Sequence, residues 1–336
     1  MKTKPMTKFA ILALSLVLVA CAGGGSEEAG CPAIDGREIN VVATTPMIGE
    51  FVSQVGGEKI NLTVLMPPEA NPHTYEPAPQ DAGTIAEADL VFYTGLLYEP
   101  AALVKLLENS ACSTDILSEV GESVFPIEFK EGGHDDHDDH DDEEGHDDEE
   151  GHDDHEGHNH GAYDPHFWFD PSRVAYAAEY IESRLIEFDP ENESSYKSSA
   201  DSFVSELNDL TKQVSELIST VPSQNRKLIT THESLGYLEA KFGLEVLSTI
   251  IPSLNSANEI SPSDLAGVID VIEDNNVKVI FIESEAPSVY SETIVAETGI
   301  KSVTGLYVET LKPGQSYSEF LISNVTLITE NLQDTD

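Results

Sequence analysis

Three short segments hold every histidine of the 336-residue chain except those of one acidic tract. They are Asn71-Pro72-His73-Thr74-Tyr75-Glu76, Asp164-Pro165-His166-Phe167-Trp168 and Thr230-Thr231-His232-Glu233. Neutral imidazole is the commonest metal ligand. One histidine alone usually reads as a hydrogen-bonded structural residue. Three at comparable places read together as a ligand set. Each follows a strand-like run or sits at a turn, and open α/β sheets bind ligands beyond the carboxyl ends of their strands. Three imidazoles with at most one carboxylate suit Zn²⁺, with Zn–N bonds of ~2.0–2.1 Å, better than oxygen-preferring Mn²⁺.

The tract is a second concentration of ligands. His134, His137, His140, His146, His152, His155, His158 and His160 fall among Asp, Glu and Gly. Residues 131–161 offer almost no apolar side chain to pack, so a disordered, solvated loop is expected. Its imidazoles predict several weak metal-capture sites. Removing the 16 acids of this tract from the chain's 62 leaves 46 against 17 bases, so the acidity is general. A formal net charge of −45 excludes a phosphate-binding surface, and nucleic acid is not an expected partner.

The elements that must position these histidines alternate. Strands are predicted over 38–43, 60–66 and 90–93, with helices over 46–55, 79–88 and 100–109. A further helix is expected over 172–188. After Pro190 the stretch 191–221 has no Gly or Pro. Its apolar stripe Phe203, Val204, Leu207, Leu210, Val214, Leu217 and Ile218 predicts one helix, roughly 45 Å long at 1.5 Å per residue. Strands over 227–231, 244–251, 277–282 and 301–304 then alternate with helices over 234–242, 262–275, 288–298 and 316–332. Such alternation argues for parallel sheets covered on both faces. The expected architecture is two α/β lobes joined by one long helix.

The N-terminus reads as an address. Lys2, Lys4 and Lys8 precede the apolar run 9–20, which is too short for a spanning helix of roughly 17–25 residues. Leu18-Val19-Ala20-Cys21 resembles a bacterial lipobox, which predicts a lipidated Cys21 at the start of the mature chain. Residues 1–20 are then a signal peptide and 21–36 a tether. An acylated cysteine holds a protein on a membrane without spanning it. Setting Cys21 aside leaves Cys31 and Cys112, an even remainder that suggests a disulfide in an oxidising compartment. Such a bridge could contribute roughly 4 kcal/mol in the chain-entropy model.

N-P-H-x-Y-E, D-P-H-x-W and T-T-H-E-S-L-G-Y, in this order, resemble the metal motifs of the cluster A-I solute-binding proteins of ABC importers. The zinc (ZnuA-like) branch is the closer resemblance. Asp170-Pro171, Asp189-Pro190, Gly305-Leu306-Tyr307 and Gly314-Gln315-Ser316-Tyr317 extend the likeness over residues 37–333. It implies two α/β lobes, 37–190 and 222–336, a rigid linking helix over 191–221 and a metal in the cleft. It also implies that His73, His166 and His232 are ligands. The family's fourth ligand is usually Asp; the matching position holds Glu309, one methylene longer. Water or Glu76 are the alternatives, and Glu285 reads as a solvated loop acid. Manganese members carry a carboxylate at the position of His232, so the resemblance favours zinc.

The expectation is an extracytoplasmic, lipid-anchored, monomeric zinc receptor serving an ABC permease and its ATPase. A manganese receptor of the same family and a zinc-buffering, adhesin-like lipoprotein are the alternatives. A zinc hydrolase would also keep three ligands and an open position. No H-E-x-x-H is present, however: the residue four after His232 is Gly236.

Overall fold

The computed structural model describes residues 31–333 apart from 32, 35, 69, 130–162 and 286–288. The predicted signal peptide, the lipobox Cys21 and the eight tract histidines lie outside the described residues.

In the first lobe, β1 (Ile39–Ala43) is central. It pairs with β2 (Ile60–Val64) and β3 (Leu90–Tyr93), and β3 pairs with β4 (Leu117–Glu119). All three pairings are parallel, in the order β2-β1-β3-β4. Side chains alternate across a strand, so neighbours in β1 feed different cores. Val41 and Ala43 join the large cluster, whereas Val42 joins a smaller one with Ile85, Leu103 and Leu107. The first face is covered by α1 (Pro46–Gly56), whose N-cap Thr45 accepts from the Ile48 N–H at 3.2 Å. The second is covered by α2 (Pro79–Ala86) and α3 (Ala101–Ser110). β4 is absent from the sequence reading because three residues, Leu-Ser-Glu, carry no period. Cys31 and Cys112 form a disulfide that closes a sequence separation of 81.

Two helices follow, α4 (Pro171–Phe188) and α5 (Glu193–Ser219). At 27 residues α5 is shorter than the expected 191–221, because Pro190–Asn192 forms a separate 3-10 turn ahead of it. Its buried face is Tyr196, Ala200, Phe203, Leu207, Leu210, Val214 and Ile218; Val204 and Leu217 lie at its margin.

The second lobe repeats the alternation: β5 (Lys227–His232), α6 (Gly236–Phe242), β6 (Glu245–Ile251), α7 (Pro262–Asn275), β7 (Val279–Glu283), α8 (Val289–Thr298), β8 (Lys301–Leu306) and α9 (Tyr317–Gln333). Its strands form two parallel ribbons, β5-β6 and β7-β8. β5 and β7 lie side by side, joined at their ends through side chains. The Glu283 N–H donates to Thr231 Oγ1 at 3.0 Å, and the His232 N–H to Glu283 Oε1 at 3.1 Å.

One apolar cluster runs through both lobes, from Ile39 and Phe92 through the α5 face to Phe281 and Val325. Interiors this densely packed resist deformation. A wide hinge opening would have to disrupt that shared core. No helix of the described residues is long and apolar enough to cross a membrane.

Candidate metal centre

Each histidine is fixed by its own backbone. His73 lies in a 3-10 turn, Pro72–Thr74, just past β2, and its N–H donates to the Asn71 side chain at 2.9 Å. His166 opens the 3-10 turn Phe167–Phe169 ahead of α4, and its N–H donates to Asp164 Oδ1 at 2.9 Å. His232 is the last residue of β5, and Glu309 follows β8. Two of the four come from each lobe.

The four side chains converge. Their candidate ligand atoms all lie within 4.8 Å of one another. Glu309 Oε1 is 3.1 Å from His73 Nε2 and 3.0 Å from His232 Nε2. His166 Nε2 is 3.4 Å from His232 Nε2 and 3.5 Å from Glu309 Oε2. Donors at Zn–N distances around one tetrahedral centre sit ~3.3 Å apart. His73 Nε2 and Glu309 Oε1 are close but not aligned as a hydrogen bond, and neither has another hydrogen-bond partner among the described residues. Buried polar atoms are nearly always paired, so a cation between them is the natural partner.

The outer atoms of two rings are held by carboxylates. His166 Nδ1 is 2.8 Å from Asp164 Oδ1, and His232 Nδ1 is 2.5 Å from Glu283 Oε2. An N–H donated from Nδ1 leaves the Nε2 lone pair facing the centre, the tautomer a metal needs. Asp164 is itself supported from the second lobe. Tyr237 donates its O–H to the Asp164 backbone carbonyl at 2.8 Å. A Cβ on Gly236 would lie 2.7 Å from Asp164 Oδ2, so only glycine lets the start of α6 approach this closely. The Trp168 indole N–H donates to the Val308 carbonyl at 2.8 Å, tying the His166 turn to the Glu309 segment.

The fields are strong because His166, His232 and Glu309 are buried. Burial alone would push both imidazoles down. At His232 the Glu283 and Glu309 carboxylates outweigh burial and hold the ring well above the ordinary histidine range. At His166, Asp164 and Glu309 raise it likewise. Burial opposes the charge on Glu309, yet the His232 and His73 rings, with His166 close to its other oxygen, keep its carboxyl well below the usual range. Without metal, the local field therefore favours the protonated forms of His166 and His232 beside an ionised Glu309.

The structure brings His73, His166, His232 and Glu309 together and leaves Glu76 exposed and outside the group. Glu285 is not the solvated acid expected from sequence. Its Oε1 accepts the N–H groups of Val308 and Glu309 at 3.2 and 3.3 Å, and burial pushes its carboxyl up to about 8. It orients the segment that carries Glu309. Sequence reasoning also missed Glu283, Asp164 and Tyr98 as supports. An acid ending the apolar run Val279–Glu283 was the available signal for the first, and Asp two before His for the second. Nothing in the local sequence marks Tyr98.

A family profile described as "Zinc-uptake complex component A periplasmic" matches residues 41–331. The manganese ABC transporter substrate-binding lipoprotein PsaA of Streptococcus anginosus is 26% identical, over 98% of this chain and 99% of that protein. The high-affinity zinc uptake system protein ZnuA of Bacillus subtilis (strain 168) is 28% identical, over 96% of each. The solved periplasmic zinc binding protein TroA from Treponema pallidum superposes with a TM-score of 0.73 at 21% identity, over 88% of this chain and 99% of that one, and so shares the fold. With its profile match spanning both lobes and the long helix, this chain belongs to the zinc-uptake complex component A periplasmic family.

Proposed function

We propose that this protein is the extracytoplasmic receptor that captures Zn²⁺ for an ABC-type importer, held to the membrane through lipid on Cys21. The family is one of solute-binding receptors, not enzymes. The observation that carries the reading is the convergence of three imidazole Nε2 atoms and Glu309 Oε1, with two Nδ1 atoms backed by carboxylates. Three nitrogens and one oxygen form a borderline-soft, four-coordinate donor set, which suits zinc. His73, His166, His232 and Glu309 hold the ion. The receptor acts as a monomer, passing its cargo to a permease powered by an ATPase. The tract histidines gather zinc weakly around it.

Manganese is the second reading, favoured by the name of the PsaA relative. Titrating the metal-stripped protein with Zn²⁺ and with Mn²⁺ against a competing chelator separates the two. One tight zinc site with much weaker manganese binding is expected. Tighter manganese binding would reverse the assignment.

A further inference from the structure

Tyr98 is fully buried beside the centre, with its ring edge-on to His73 at 5.0 Å and to His166 at 5.9 Å between centroids. Its hydroxyl lies 3.0 Å from Glu309 Oε2 and 2.9 Å from the Glu309 backbone carbonyl. The loop that aims it is costly. Gly95, Leu96 and Leu97 are consecutive residues at φ of 77°, 52° and 65°. Left-handed conformations at two successive leucines persist only where the surroundings over-determine them.

Here two carboxylates do so. Glu99 accepts from Thr44 Oγ1 and the Thr94 N–H, both at 2.7 Å, and from the Gly95 N–H at 2.9 Å. Glu119 accepts the Leu96 N–H at 2.9 Å. Strain of this kind clusters where a side chain must be placed for function, and the side chain this loop places is Tyr98.

The consequence falls on Glu309. A free carboxylate can grip an oxygen-loving cation with both oxygens, which raises the coordination number. In this cleft Oε2 lies within hydrogen-bond distance of the Tyr98 hydroxyl at 3.0 Å and 3.5 Å from His166 Nε2, while Oε1 stands closer in, between His73 Nε2 and His232 Nε2 at 3.1 and 3.0 Å. We propose that Tyr98 is a specificity-determining positioning residue, whose hydroxyl holds Glu309 to ligation through one oxygen and so sets the cleft for four-coordinate zinc against manganese. This rests on the zinc-receptor reading above.

The test uses Tyr98→Phe, which keeps the packed ring and removes only the hydroxyl. Zn²⁺ and Mn²⁺ affinities of the purified full chain are measured by chelator competition, and the visible spectrum of bound Co²⁺ reports coordination number. The wild type should show the intense bands of four-coordinate Co²⁺. In Tyr98→Phe those bands should weaken toward a higher-coordinate spectrum, and the preference for zinc over manganese should fall at least about tenfold, the scale of losing a support behind a ligand. An unchanged preference and spectrum in the variant, with the wild type still binding zinc tightly, overturns this inference alone. A five- or six-coordinate Co²⁺ spectrum in the wild type also overturns it, without recourse to any variant. A wild type that binds neither Zn²⁺ nor Mn²⁺ overturns the receptor reading along with it.

Discussion

Glu283 stands directly behind His232, with Oε2 2.5 Å from Nδ1 and Oε1 accepting the His232 backbone N–H at 3.1 Å. Both carboxylate oxygens are committed to one residue, so ring and backbone are oriented together. Glu283→Gln keeps the shape, removes the charge and weakens the acceptor for Nδ1–H. Zinc affinity should fall ~10–100-fold, the usual cost of losing such a partner. Competition titration checks it. A loss as large as that of His232→Ala would show that Glu283 itself holds the ion.

The four ligand substitutions should rank close together. Glu309 is central, its two oxygens facing all three imidazoles. Once the imidazoles are neutral, as metal ligation requires, it is also the only charged member of the proposed ligand set. Glu309→Gln should therefore cost zinc affinity more than the ~10–100-fold of a supporting residue, as should each His→Ala. If Glu309→Gln bound zinc like the wild type, the far lobe would contribute only His232.

Deleting 133–161 should leave the tight site intact. The tract leaves and rejoins the fold at an isolated antiparallel bridge between Glu128 and Tyr163, beside a 3.0 Å bond from the Asp164 N–H to the Ile127 carbonyl. A short linker can close that gap without disturbing Asp164. Calorimetry should show one strong zinc event in both proteins and loss of the weak events in the deletion. Disappearance of the strong event would move the primary site into the tract.

The alternation of strands and helices was legible because each element is long enough to show its period. Three histidines could be singled out because no others lie outside the tract. The elements that escaped are those whose role is set by distant partners. β4 is three residues long, and its place is given by β3. Glu285 looks solvated until the Glu309 segment folds over it to supply two N–H donors. Tyr98 meets Glu309 across 211 positions of sequence. A ligand announces itself by residue type, whereas its supports are ordinary acids and phenols that only tertiary contact makes significant.

Zinc binding should be strongly opposed by acid, starting above the pH at which ordinary histidines titrate. In the metal-free protein His166 is raised above the reference value of ~6.5 and His232 lies well above it, so each must surrender a proton before its Nε2 can bind. Each proton released weakens binding by about tenfold per pH unit of acidification. The same shifts set metal-free stability. The raised imidazoles contribute stabilisation that is complete below the unfolded value of ~6.5 and is lost as pH rises through their folded values. The depressed carboxyl of Glu309 contributes above its unfolded value and is lost as pH falls through its folded one. The metal-free cluster is thus most favourable in mild acid, where zinc competes worst. As pH rises through the folded values of these imidazoles the protons leave, the buried Glu309 loses its cationic partners, and zinc replaces them. Thermal denaturation with and without saturating zinc should give a small rise in Tm at about pH 5.5 and a much larger one at about pH 8. An equal rise at both would mean that the ion displaces no protons, and the imidazole ligands would have to be abandoned.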